Sequence, residues 1–268
     1  MRIRPKKRLG QNFLKDTPVR RRIINACGLS RDDYVLEIGA GRGEMTGLIG
    51  PLVKRLWAVE LDRDICPLLR KNTAGLPQVD ILNEDILKID ITRRFAGVKP
   101  KLKIIGNLPY YISTPILEHL ILHRGRLQAV YIMLQKEFAR RMTAQAGSGD
   151  FGSLSCFIQY YARPELLFGI PKGAFYPQPK VDSAFVKLTP HVRTAFQTGS
   201  SHEKMLFRLI RAAFNQRRKT LRNSLKTVLD ADTLKRLFQA SGTGGGMRPQ
   251  AIGLEGFIKL TRVRQQAQ

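Results

Sequence analysis

Tyr34-Val35-Leu36-Glu37-Ile38-Gly39-Ala40-Gly41-Arg42-Gly43 sets a short apolar run directly against a glycine-spaced loop. A run of strand length, stopped abruptly by glycine, reads as a buried strand. The pattern recurs at Leu56–Glu60, Val79–Leu82, Leu102–Gly106 and Ala129–Leu134, with amphipathic helical stretches between most of the runs. Such alternation predicts parallel strands with helices on both faces, an α/β fold of Rossmann-like type. Asp62 is placed to cap one helix, and Thr114-Pro115 supplies a cap followed by proline for another. Beyond Leu134 the chain reads as helices near Lys136–Met142 and Leu154–Tyr161. Strand-like runs follow at Pro164–Phe168 and Val181–Leu188, the second alternating like an antiparallel member of the sheet.

After Pro190 the pattern changes. His191–Glu203 is polar and reads as a linker; Lys204–Asn215, Lys219–Leu229, Thr233–Ala240 and Leu254–Val263 read as helices. Gly242–Gly246 interrupts them with a flexible loop. The expected division is a catalytic domain over 1–190, opened by a basic arm over about 1–16, and a small all-α domain over 191–268.

Lys and Arg number 46 against 21 acids in 268 residues, a formal charge of +25. That excess points to a polyanionic partner. It is concentrated at the ends: residues 1–28 carry nine bases and one acid, and residues 190–268 fifteen bases and four acids. Between Arg208 and Lys226 stand seven bases and no acid: Arg208, Arg211, Arg217, Arg218, Lys219, Arg222 and Lys226. Like charges at helical spacing repel unless a polyanion covers them, so this segment, with the arm Arg2–Arg8, is expected to grip the phosphates of such a partner. No segment approaches the ~18 apolar residues of a membrane span and no signal peptide is apparent, so no membrane partner is expected. Cys27, Cys66 and Cys156 lack metal or disulfide spacing and read as reduced thiols of a cytoplasmic protein. His119 and His123 lie four apart without a third ligand, so they read as helix-surface residues and no metal is expected.

Open α/β sheets bind ligands beyond the carboxyl ends of their strands. The loop Gly39–Gly43, with Gly39 and Gly41, follows the first run. Its G-x-G-x-G spacing is not that of dinucleotide binders. Glu60 ends the second run, 21 residues beyond Gly39, where a carboxylate takes ribose hydroxyls. Asp85, in Asn83-Glu84-Asp85-Ile86, follows the third and is placed for an adenine amine. Asn107-Leu108-Pro109-Tyr110 follows the fourth. Loop, two acids and amide, in order on four successive strands, point to S-adenosylmethionine.

The tetrad suits a flat base bearing an exocyclic amine. The Asn107 side-chain oxygen and a backbone carbonyl of the turn can both accept from the amine, and the Tyr110 ring can stack on the base. The tetrad resembles the NPPY-type signature of amino-methyltransferases. Over nearly its whole length the chain resembles the KsgA-type small-subunit ribosomal RNA adenine dimethyltransferases. The matching motifs are Leu9–Leu14, Val35–Gly43, Gly106–Leu117, Gln135–Glu137 and Phe175–Ser183.

The resemblance implies a class I S-adenosylmethionine-dependent methyltransferase sheet with the small helical domain appended. It implies that Asn12, Leu14, Gly39, Gly41, Glu60, Asp85, Ile86 and Asn107 contact the cofactor. Asn107, Leu108, Pro109 and Tyr110 would then hold the target adenine, with Phe175 packing on its other face. The implied product is N6,N6-dimethyladenosine at two neighbouring adenines near the 3′ end of small-subunit RNA, within an immature 30S particle. A monomer is expected. The nearest alternative is an Erm-type methyltransferase of large-subunit RNA, which Tyr110–Pro115 and Tyr176–Pro179 fit less well. A non-catalytic assembly factor keeping the fold is the other, against which the intact tetrad and glycine loop argue.

Overall fold

The computed structural model describes residues 5–6 and 9–266; Arg2, Arg4, Lys7 and Arg8 of the basic arm lie outside them. Seven strands form the main sheet. They are β2 (Tyr34–Ile38), β3 (Arg55–Val59), β4 (Val79–Leu82), β5 (Leu102–Asn107), β6 (Leu127–Gln135), β7 (Ala162–Ile170) and β9 (Ser183–Pro190). Their order is β4-β3-β2-β5-β6-β9-β7. The first five run parallel, and β9 pairs antiparallel with β6. The expected parallel architecture is therefore present, and β9 is the expected antiparallel member, although Ser183–Val186 are all buried and do not alternate, because β9 lies inside the sheet between β6 and β7. A separate two-residue bridge joins β1 (Phe13–Leu14) to β8 (Phe175–Tyr176), Leu14 opposite Phe175.

The central strands are buried on both faces, which is why they read as continuous apolar runs. Glu37 in β2 and Lys103 in β5 are buried polar exceptions. The Lys103 Nζ donates to the Asp33 carboxylate at 2.8 Å and to the Gly28 carbonyl at 2.7 Å, so the buried charge is paired. Gly28 ends α1 (Thr17–Cys27), which Asp16 caps through the Val19 N–H.

Two helix starts differ from expectation. α3 (Cys66–Thr73) begins after Ile65, and Asp62 is engaged elsewhere. α5 (Ser113–Leu122) begins at Ser113, which places Thr114 and Pro115 inside the first turn. The two histidines are not simply on a surface: His119 Nε2 lies 3.0 Å from the Ile89 carbonyl, and His123 Nδ1 2.8 Å from the Thr92 hydroxyl.

The chain forms two compact units. One comprises the residues up to Ala139 with Glu165–Pro190; the other comprises Arg140–Pro164 with the residues from His191 onward. The expected boundary at Pro190 thus leaves out Arg140–Pro164. The reason is aromatic packing: Phe157, Tyr160 and Tyr161 of α7 (Ser153–Tyr161) surround Phe207 of α8 (Ser201–Asn215), with ring centroids 5.3–5.8 Å apart. The Tyr160 hydroxyl also accepts from the Phe196 N–H at 3.1 Å, tying down part of the expected linker. The second helix read after Pro190 is shorter than expected, α9 (Leu221–Leu225), capped by Thr220. No helix of the described residues is long and apolar enough to cross a membrane.

Candidate active site

The strand order turns at β2, which has β3 on one side and β5 on the other. Ligand crevices of open α/β sheets form at such a point. Gly39 (φ 75°) and Gly41 (φ 58°) take left-handed backbone that glycine adopts without steric cost. The Gly39 and Ala40 N–H groups donate to the Val59 carbonyl at 2.9 and 3.1 Å. A Cβ on Gly39 would stand 3.4 Å from the Asn107 carbonyl oxygen, and one on Gly41 would stand 3.2 Å from the Phe13 ring. The loop is a cradle kept open by missing side chains.

Glu60, just past β3, is buried. Its Oε2 accepts from the Gly41 N–H and its Oε1 from the Asp62 N–H, both at 2.8 Å. Burial raises its carboxyl above the ordinary range, and the backbone donors oppose that rise. Glu37, within β2, is also buried, and its Oε2 accepts from the Thr46 hydroxyl at 2.7 Å. Burial pushes its carboxyl up to about 8. Asp85 Oδ1 accepts from the Leu87 N–H at 3.0 Å and so caps the turn Ile86–Lys88, with Ile86 buried.

Asn107 ends β5. Its Nδ2 donates to the Asn12 carbonyl at 2.8 Å. A carbonyl can only accept, so this bond fixes which end of the amide points to Asn12 and turns Oδ1 away as a free-standing acceptor direction. Leu108 is buried, and Pro109 opens the turn Tyr110–Ile112, its carbonyl accepting from the Ile112 N–H and the Ser113 hydroxyl. The Tyr110 hydroxyl lies 2.6 Å from the hydroxyl of buried Ser183, and burial raises its pKa above the usual tyrosine value.

Asn12, Gly39, Gly41, Glu60, Asp85, Ile86, Asn107 and Pro109 line a single cavity of about 720 Å³. An adjoining one of about 450 Å³ adds Leu14, Glu37 and Met133. A family model for the ribosomal RNA adenine dimethylases matches residues 2–248. The chain belongs to the ribosomal RNA adenine dimethylase family.

Among its relatives, a ribosomal RNA small subunit methyltransferase A of Pseudomonas putida is 44% identical over 259 residues, covering 96% of this chain and 94% of the relative. The protein of the same description from Lachnoclostridium phytofermentans is 40% identical over 265 residues, 96% of this chain and 90% of the relative. In fold the adenine dimethylase chain is similar to a dimethyladenosine transferase of Plasmodium falciparum, with a TM-score of 0.80, 24% identity, and 95% and 98% of the two chains covered. It is similar in fold also to the 23S rRNA methyltransferase ErmE, with a TM-score of 0.73, 23% identity, and 95% and 100% covered.

Two residues expected at the base are placed otherwise. Phe175 is 1% exposed and packs in the core with Leu14 and Phe185, because its bridge to Leu14 turns both side chains inward. Tyr110 is turned toward Ser183. The exposed rings nearby are Tyr111 and Tyr176, each 57% exposed, and Tyr111 lines the larger cavity. Sequence reading missed Tyr111, Leu9, Gln11 and Phe13 as cavity residues. The doubled aromatic Tyr110-Tyr111 was the available signal, since neighbouring residues of a tight turn point in different directions.

The seven bases from Arg208 to Lys226 are all exposed. Arg217 is partly spent on its own unit, donating to the Gly149 and Phe151 carbonyls at 2.7 and 3.1 Å. The Arg222 guanidinium lies over the Phe238 ring at 5.6 Å.

Proposed function

We propose that this family member methylates N6 of two adjacent adenines near the 3′ end of small-subunit ribosomal RNA, within an immature 30S particle, as a cytoplasmic monomer. Its activity as an S-adenosylmethionine-dependent ribosomal RNA adenine dimethyltransferase follows from the family. The site fits that cofactor: a glycine cradle a Cβ would fill, a carboxylate at Glu60 for vicinal hydroxyls, and one at Asp85 for an exocyclic amine. When bound, the cofactor supplies an electrophilic methyl group on a sulfonium.

The residues of the chain do the rest. Asn12, Leu14, Gly39, Gly41, Glu60, Asp85 and Ile86 hold the cofactor. The observation that carries the reading is the Asn107–Asn12 bond, which leaves Oδ1 of Asn107 as a pre-oriented acceptor at the end of β5. An adenine N6 amine is a weak nucleophile because its lone pair is delocalised into the ring. Oδ1 of Asn107 and the Leu108 carbonyl accept its two hydrogens and draw it toward tetrahedral geometry. Fixed acceptors stabilise the charge that develops there without a titrating base, and the proton leaves to water. The base must be unstacked to arrive, and an aromatic face replaces lost stacking at roughly 1–3 kcal/mol per base. Arg208, Arg211, Arg218, Lys219, Arg222 and Lys226 grip phosphates.

The test is to express Asn107→Ala in a strain lacking the gene and to map ribosomal RNA adenine methylation by mass spectrometry. Wild type restores dimethylation of the small-subunit pair and Asn107→Ala does not, although it binds immature subunits normally. Dimethylation by the variant at near-normal rate would refute the mechanism, and methyl groups restored only to large-subunit RNA would refute the substrate.

A further inference from the structure

Two of the matching motifs, Gln135–Glu137 and Phe175–Ser183, line neither part of the cavity, yet they meet the tetrad through one contact. Ser183 opens β9 opposite Gln135, the last residue of β6, and is 0% exposed. A buried hydroxyl needs a hydrogen-bond partner. That of Ser183 lies 2.6 Å from the Tyr110 hydroxyl, 73 residues away in the chain. Its neighbour Asp182 is fastened twice: the carbonyl accepts from the Lys136 N–H and Oδ1 from the Lys172 N–H, both at 3.0 Å. Ser183 is therefore a rigid post, with β6 between its own strand and the strand that carries the tetrad.

The tetrad offers two acceptors to the amine, and they are mounted separately. Oδ1 of Asn107 is set by the bond from Nδ2 to the Asn12 carbonyl. The Leu108 carbonyl belongs to the turn beyond β5. Inside that turn the Pro109 carbonyl accepts from the Ile112 N–H at 3.2 Å and from the Ser113 hydroxyl at 3.0 Å. Those bonds hold the turn to itself and to α5, not to the sheet. The buried Leu108 side chain adds packing, which is non-directional. The bond between Tyr110 and Ser183 is directional and ties the turn to β9, two strands away from β5.

We propose that Ser183 is a positioning residue for methyl transfer: its hydroxyl, through that of Tyr110, holds the Leu108 carbonyl at a fixed offset from Oδ1 of Asn107. The inference rests on the reading of those two oxygens as the acceptors of the amine. The two hydrogens of an adenine amine point in fixed directions in the base plane, so two acceptors serve it only if their spacing is preset. A displacement of about 1 Å at such a site can cost on the order of 100-fold in rate. The tie bears on the chemical step and not on cofactor binding, because neither Tyr110 nor Ser183 lines the cavity.

The experiment measures kcat, cofactor KM and calorimetric affinity for S-adenosylhomocysteine in Ser183→Ala, Ser183→Cys, Tyr110→Phe and the double variant Tyr110→Phe with Ser183→Ala. Methyl transfer is assayed on immature small subunits, well below every unfolding midpoint. Each single variant should lower kcat by about tenfold or more, with cofactor KM and affinity within twofold of wild type. The double variant should be no slower than the slower single one, since both changes break the same bond. Ser183→Cys keeps the filled volume and loses the strong hydroxyl bond, so it separates the bond from packing. Tyr110→Phe keeps the ring, so it separates the bond from stacking on a base.

Tyr110→Phe decides the matter even where Ser183→Ala folds poorly. Wild-type kcat in Tyr110→Phe and Ser183→Cys, or losses that multiply in the double variant, would overturn the assignment, as would a cofactor affinity that falls as far as kcat. Asn107→Ala that transfers methyl groups at a near-normal rate, or a wild type inactive on those subunits, would instead overturn the reading on which the inference stands.

Discussion

Replacing Glu60 by alanine removes more than a ligand partner. In the free protein its two oxygens accept from the Gly41 and Asp62 N–H groups, both at 2.8 Å and both on buried residues. A buried donor left unpaired costs about 1–3 kcal/mol, so the two together cost about 2–6 kcal/mol of local stability. The ribose hydroxyls lose their acceptor as well, which weakens cofactor binding by roughly five- to 150-fold. Calorimetry with S-adenosylhomocysteine and thermal unfolding, run on the same preparation, separate the two effects. Both should move. The pH dependence carries the same signature, because the ionised carboxylate is the acceptor and burial raises its titration above the ordinary 4.5. Wild-type affinity is therefore full above that raised value and is lost as pH falls through it, sooner than for an exposed glutamate, and Glu60→Ala should abolish this dependence. Unchanged affinity with a lowered melting temperature would remove Glu60 from the binding site and leave it a purely structural residue.

Phe175→Ala should lower stability by about 3–5 kcal/mol, as for a large core aromatic, in a denaturant titration. A variant of normal stability that has lost methylation would show that the ring leaves the core to meet the base. Replacing Arg208, Arg218 and Lys219 together by alanine should reduce the log–log salt slope of small-subunit binding by about one unit for each phosphate no longer gripped. Arg217 is left in place because it holds the Gly149 and Phe151 carbonyls, and an unchanged slope would put the RNA elsewhere. Glu37 titrates at about 8 when folded against 4.5 in the unfolded chain, so the native state holds the extra proton between those values. Stability should fall as pH rises through that window, and Glu37→Gln, which keeps an acceptor for Thr46, should flatten the fall. Parallel denaturation profiles for the two proteins from pH 5 to 8 would exclude a buried, neutral Glu37.

The parallel strands were legible because burial on both faces leaves little room for polar residues. β2 (Tyr34–Ile38) and β4 (Val79–Leu82) have the same bounds as the apolar runs. That Gly39, Gly41, Glu60, Asp85 and Asn107 meet at one cavity was legible because each ends or follows such a run, and a position at the end of a strand needs no knowledge of packing. The bridge between Phe13–Leu14 and Phe175–Tyr176 was not, since two residues carry no periodicity. Phe175 therefore reads as a stacking ring in the sequence, whereas its partner strand turns it inward. Asp62 has the spacing of a helix cap, and only the folding back of the arm shows the carboxylate spent on Lys6 and Gln11. The grouping of Arg140–Pro164 with the carboxyl-terminal residues was hidden for the same reason: it depends on rings of α7 meeting Phe207, a residue remote from them in the chain.

β5 carries polar side chains at both ends, Lys103 and Asn107, and both are held, one by Asp33 and the Gly28 carbonyl, the other by the Asn12 carbonyl. The two residues are an even number apart, so they share one face of the strand. Sliding β5 by a single position would turn both to the opposite face and leave a buried charge stranded at the far end. The ion pair at the bottom of the sheet thus acts as an end stop for a ruler laid along the strand. On the proposed function, it sets where the methyl-accepting amine is presented, from the side of the sheet opposite to the chemistry.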